Sequence, residues 1–229
     1  MATSQPSMQQ IDKAEIVAMS DEVVQMLRLV EEDFRKLDAS PAERVGRLGR
    51  TVHRQERGLI ARLVKAGNPA AAGAPAIDEE VGFVPMHLER IAEHIEALAT
   101  ATDGMVRDGT LFTNRATREV SGMFETVVEL LEGLRDALTT GNTTLIRYVL
   151  EAGRSCETRA NEYALVHEQR LIEGVSQPRA SSVYLAMLDG VKGIEWHARQ
   201  IAEKLRRAPI RPEGAGRDAE ADLRRHVGA

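Results

Sequence analysis

The side chains best placed for chemistry lie in one run, His87-Leu88-Glu89-Arg90-Ile91-Ala92-Glu93-His94-Ile95-Glu96-Ala97-Leu98. Glu89 and Glu93 are four apart, so a helix sets both carboxylates on one face, one turn from each other. Hard oxygen ligands at that spacing chelate a cation when further carboxylates face them. The same pattern also describes a solvated acidic face with Arg90 as its local partner. His94 adjoins the pair, and His197 recurs 103 residues later. Each imidazole sits next to the apolar line of its segment. That position suits a boundary histidine hydrogen-bonded across helices, or a ligand in a mixed histidine–carboxylate site.

Other chemistry is less well supplied. A ferritin-like di-iron centre needs Glu-x-x-His on two helices. Here Glu93 directly precedes His94, and Glu195 stands two before His197. His167-Glu168-Gln169-Arg170-Leu171 has the outline of a phosphoacceptor box without the proline that should follow, and the chain has no Gly-rich nucleotide-binding segment. A histidine phosphotransfer bundle using His167 or His94 is therefore kept as an alternative. No nucleophile elbow, P-loop or zinc-protease motif is present, and no catalytic residue is assigned. Arg90 and Glu96 point away from the apolar line and are candidate partner contacts. Trp196, the single tryptophan, lies on the polar side of its segment. Exposed, it would contact a partner; packed between modules, it would be core. Lys204-Leu205-Arg206-Arg207 places cations where a helix C-terminus favours them. Cys156, alone and inside a helical pattern, reads as an inert buried thiol.

These residues need helices to hold them. Val84, Leu88, Ile91, Ile95 and Leu98 keep spacings of four, three, four and three, the apolar stripe of a packed helix. Met187, Val191, Ile194, Ala198 and Ile201 repeat that stripe at a separation of 103. Val127-Val128-Glu129-Leu130-Leu131 mirrors Val23-Val24-Gln25-Met26-Leu27 at 104. Glu168 to Ile172 resembles Glu56 to Ile60 at 112, a pairing that requires unequal loops. The periodicity predicts helices over about 8–38, 41–65, 78 or 85–106, 114–139, 143–172 and 180–207. Ser40-Pro41 with Glu43 signals a helix start. Gly67, Asp108-Gly109 and Thr140-Gly141-Asn142 signal stops. The expected fold is all-α: six long helices as two tandem antiparallel three-helix bundles, over residues 8–108 and 109–207, followed by a disordered tail at 208–229.

Composition agrees. Aromatic residues make up only 3% of the chain, so the core must be aliphatic. A net charge of -5 argues against a general electrostatic grip on nucleic acid. No apolar run reaches the roughly 18 residues of a spanning helix, and the polar N-terminus lacks a signal-peptide core. A cytoplasmic protein is expected.

Leu88-Glu89-Arg90-Ile91-Ala92-Glu93-His94-Ile95-Glu96, closing a three-helix unit that occurs twice, resembles the PhoU family of phosphate-uptake regulators. The resemblance spans roughly residues 8–206. It implies a cytoplasmic, non-enzymatic adaptor whose partners are subunits of a phosphate ABC transporter and a phosphate-sensing kinase, with peripheral membrane association through those partners and a homodimer among the expected assemblies. Some members bind iron or zinc through an acidic pair four apart, and Glu89 and Glu93 match that pair. In the second half the matching positions are Lys192 and Trp196, which supply no hard oxygen ligand. A metal-binding bundle storing or sensing iron or zinc is the second reading.

Overall fold

The computed structural model describes residues 8–37, 41–66, 79–174 and 178–207. Six α-helices account for nearly all of them: α1 (Met8–Lys36), α2 (Pro41–Ala66), α3 (Glu79–Arg107), α4 (Asn114–Thr140), α5 (Thr143–Ile172) and α6 (Pro178–Arg207). At 26 to 30 residues, each is roughly 40 Å long. No strand occurs among the described residues.

The ends follow local chemistry. Thr113 caps α4, its hydroxyl accepting from the Ala116 amide at 3.2 Å. Gly141, at φ 67°, takes the left-handed conformation that ends α4 and donates back to the Ala137 carbonyl at 2.8 Å. Asn142 then caps α5 through Oδ1, accepting from the Thr144 amide at 2.8 Å. Stop and start signals one residue apart make α4 and α5 antiparallel neighbours. The predicted ends of α2, α3 and α4 each run one residue further, and three other boundaries change. The first helix stops at Lys36 rather than Asp38, with Leu37 at φ 54°. The third starts at Glu79 and carries Pro85 inside it. The sixth starts at Pro178, because proline suits a first helical position where no amide donor is needed. Gly67 and the tail at 208–229 lie outside the described residues.

α1, α2 and α3 pack on one another, and α4, α5 and α6 do the same. α1 joins α4 and α3 joins α6, so two three-helix bundles share one aliphatic core. The repeat in sequence is a repeat in burial. Val23, Leu27 and Val30 are matched 104 residues on by Val127, Leu131 and Leu134, all buried. Leu88, Ile91 and Ile95 are matched 103 residues on by Val191, Ile194 and Ala198, also buried. The expected register of 112 between α2 and α5 is not the one the core uses. At 104, Val45 corresponds to Val149 and Val52 to Cys156, all fully buried, whereas Ile172 is exposed. Charged letters on a solvent face recur by chance; buried positions carry the register.

The joints between bundles run antiparallel. Along α1 and α4, Asp21 faces Arg135 at 3.7 Å, Arg28 pairs with Glu132, and Phe34 meets Phe124 edge-on at 5.3 Å. Along α3 and α6, Phe83 lies under Lys204, His87 meets His197, and Leu98 lies against Gly190. Residue numbers rise on one helix as they fall on its mate, which is the signature of an approximate two-fold relation between the halves. One consequence is that α1, α3 and α5 end, and α2, α4 and α6 begin, at the same end of the bundle.

Candidate functional site

On the α2/α3 face, Glu89 is largely covered, at 15% side-chain exposure, and its carboxylate meets His53 Nδ1 at 3.2 Å. Arg90 donates to Glu93 at 2.6 Å and lies 4.0 Å from Glu89. Glu96 lies flat over Gly49, where a Cβ would overlap its carboxyl group. Burial, and then the neighbouring Glu93, raise the pKa of Glu96 above the ordinary carboxylate value. An iron or zinc ion would need further oxygen or nitrogen donors converging on Glu89 and Glu93. Among the described residues no group of three or more histidine, cysteine, aspartate or glutamate side chains is arranged that way. A guanidinium already sits at both carboxylates, so the donor set as built does not fit the ion.

The α5/α6 face has the same architecture, with α6 carrying Lys192 and Arg199 where α3 carries Glu89 and Glu96. Gly153 occupies the place of Gly49, and Arg199 that of Glu96; a Cβ at 153 would lie 2.6 Å from Arg199 Cγ. Arg199 donates to Glu195 at 2.6 and 3.0 Å and to Glu157 at 2.8 Å. Glu195, only 1% exposed, stands at the core position that Ala92 holds in the first half. Lys192, in the place of Glu89, is bound to Asp189 at 2.8 Å and Asn161 at 3.3 Å.

Between the faces runs the α3/α6 seam. His87, buried, and His197 bring their Nδ1 atoms to 2.7 Å, a single N–H···N hydrogen bond that requires at least one neutral ring. His94 lies tilted against His197 at 5.6 Å between centroids. Its ring lies against Gly193, where only a missing Cβ leaves room. Burial, followed by His87 and His94, pushes the His197 pKa down to about 4, and burial lowers those of His87 and His94. The boundary reading of His94 and His197 fits this geometry. His87 escaped the sequence reading, although it shares a helix stripe with His94 seven residues away. Trp196 crowns the seam. It is 46% exposed and meets His197 edge-on at 4.7 Å and His87 at 6.0 Å. Met86 is exposed beside His87 in sequence. Trp196 is thus neither core nor a loose surface side chain, but an exposed indole held from below by two imidazoles. Arg90, also a candidate contact, is half exposed on α3, whereas Glu96 is partly covered.

His167 is not available as a phosphoacceptor. It is 3% exposed and stacked on Tyr184 at 4.2 Å. Beside it, Glu119 accepts from Tyr184 at 2.7 Å, Arg170 at 2.8 Å and Arg115 at 2.9 Å. Burial opposes the charge on Glu119, but these three donors outweigh it and lower its pKa. Cys156 is buried, and burial pushes its thiol up to about 12, so it stays an unreactive thiol. An open trough of about 420 Å³ along the α1/α4 joint is lined by Arg28, Arg35, Glu31, Glu125, Glu129 and Glu132, among others. No described helix is long and apolar enough to cross a membrane.

No family model and no curated protein sequence matches the chain. Solved structures do. The fold is similar to PhoU from Pseudomonas aeruginosa, with TM-score 0.77 and 17% identity over 86% of this chain and 94% of that one. It is also similar to the phosphate transport system regulatory protein PhoU from Streptococcus pneumoniae, with TM-score 0.66 and 12% identity over 85% and 91%. The fold is PhoU-like.

Proposed function

We propose that this chain is a non-enzymatic, cytoplasmic regulator of phosphate transport and of phosphate-starvation signalling, working by docking on other proteins through helix faces. Subunits of a phosphate ABC transporter and a phosphate-sensing kinase are the partners. Residues 8–108 and 109–207 act as its two repeats. The observation that carries the reading is a PhoU-like fold matched over nearly the full length of both proteins compared. The α3/α6 seam supports it. An aromatic anchor that is exposed yet already immobilised loses little side-chain entropy on binding, which is the property of an interface hot spot. Arg90 and Glu93, three and six residues along α3 from His87, supply a polar rim.

The test is a reporter of the phosphate-starvation response in the source cell. Deleting the gene should abolish the reporter's dependence on phosphate. The wild-type gene should restore it and Trp196→Ala should not. A reporter that responds normally without the gene would dispose of the reading.

A further inference from the structure

The solvent face of α2 is an arginine ridge. Among the described residues, its exposed charged or imidazole side chains are Glu43, Arg47, Arg50, His53, Arg54 and Arg57. Arg47, Arg50, Arg54 and Arg57 follow one another at spacings of three, four and three, so they stand in one line along the helix. The line runs about 15 Å. The fold does not require it. The matching positions on α5, 104 residues on, are Glu151, Arg154, Thr158 and Asn161, equally exposed and carrying one cation and one carboxylate.

Arg47 binds Glu43 at 2.9 Å, whereas the guanidinium groups of Arg50, Arg54 and Arg57 make no hydrogen bond or ion pair with any described residue. The carboxylates around them are engaged elsewhere or withdrawn. Glu89 meets His53, Glu93 meets Arg90, Glu15 meets Arg62 and Asp33 meets Arg44. Glu22 on α1, Glu96 on α3 and Glu56 on α2 itself are half-buried. Burial raises the pKa of Glu22 and Glu96 in spite of Arg54 and Arg50. Taken together, the cations and carboxylates of this edge nearly balance, but they are sorted, with guanidinium on the crest and carboxylate at its foot. We propose that the α2 ridge docks an acidic helix of another protein, one that presents carboxylates at the same three- and four-residue spacing. Each guanidinium offers a planar fork that a carboxylate fills with two hydrogen bonds. The sorting of charge sets the width of the partner. A bilayer or a nucleic-acid duplex spreads its phosphates past one helix width, over Glu43, Glu93 and the carboxylates at the foot, in a chain whose net charge is -5. A single helix covers the crest alone and matches its period.

The inference rests on the docking reading above and names the chemistry of one partner face; its test uses no component of phosphate transport, so the two can fail separately. The test is fluorescence anisotropy of the full chain with a labelled alanine-based helical peptide whose four glutamates are spaced three, four and three. An isomer with the glutamates distributed round the helix is the control, and a DNA duplex and phosphatidylglycerol vesicles stand for the broader anions. Wild type should bind the striped peptide, less at high salt, and at least fivefold tighter than the isomer. Arg54→Glu with Arg57→Glu should weaken binding at least tenfold, and Arg54→Gln with Arg57→Gln should weaken it less. Trp196→Ala, and Arg147→Glu with Arg154→Glu on α5, should bind as wild type does. All the substituted arginines are exposed, and circular dichroism should match wild type. Absence of binding, equal binding of the isomer, binding that survives Arg54→Glu with Arg57→Glu, an equal loss in the α5 variant, or tighter binding of the duplex or vesicles would overturn the proposal. Self-association removed by Arg54→Glu with Arg57→Glu would assign the ridge to a second copy and overturn it as well.

Discussion

Replacing Arg199 with methionine tests whether the α5/α6 face is held by its buried ion pair. Methionine keeps the aliphatic stem that lies over Gly153 and removes the guanidinium. Glu195 then stands 1% exposed without its two hydrogen bonds of 2.6 and 3.0 Å. Glu157, the other partner of Arg199, is half exposed and turns to water at little cost. Orphaning one member of a buried pair costs about 3–5 kcal/mol. For a domain of this size that lowers Tm by roughly 6–20 °C. The deficit carries a pH signature. Burial already raises the pKa of Glu195, and Arg199 opposes that rise. With the arginine gone the folded pKa climbs further above the unfolded value of about 4.3. A carboxylate with a raised folded pKa costs stability above the unfolded pKa and nothing below it. The loss should therefore be full at neutral pH and shrink as pH falls toward 4.3. Adding Glu195→Gln should recover most of it. Urea denaturation followed by circular dichroism at several pH values measures each quantity. A deficit under 1 kcal/mol, or one that does not change with pH, would refute the reasoning.

The seam histidines titrate in the opposite sense. Folded pKa values held below the ordinary 6.5, to about 4 for His197, mean that the unfolded chain binds protons first. Stability should be complete above pH 6.5 and fall as pH drops from there toward 4. In His87→Phe that slope, followed by urea midpoints, should flatten. The helical glycines divide by surroundings. Gly122→Ala should stabilise by about 0.5–1 kcal/mol, since its Cβ meets nothing within 4 Å. Gly190→Ala should destabilise, because its Cβ would lie 2.8 Å from Cδ2 and 3.0 Å from Cγ of the buried Leu98, and the overpacking cost of about 1–3 kcal/mol exceeds the helix gain. Thermal melts of the two variants side by side decide this.

The helices were legible because their signals are local. α5 begins and ends at the residues its pattern predicts, with Asn142 capping it, and α4 extends only one residue further. Pro85 blurred the start of α3, since a proline inside a helix looks like a boundary to local reasoning. The repeats at 103 and 104 were legible because both copies are core. The α2/α5 register was not, because the buried pairs that carry it, Val45 with Val149 and Val52 with Cys156, form no run of like letters, and Gly49 and Gly153 show their meaning only once Glu96 and Arg199 lie over them. His87 and Glu195 were missed for a related reason. Their partners His197 and Arg199 declare a role only after α3 and α6 are brought together or one turn of α6 is seen buried.

The central claim is that this chain works by binding proteins of phosphate transport and sensing. Affinity purification from phosphate-replete and phosphate-starved source cells, with quantitation of what comes down on wild type and on Trp196→Ala, measures it most directly. A transporter subunit or sensor kinase should be retained by wild type in at least one condition and depleted tenfold or more on the variant. Neither being retained in either condition, or equal retention by both proteins, would contradict the account.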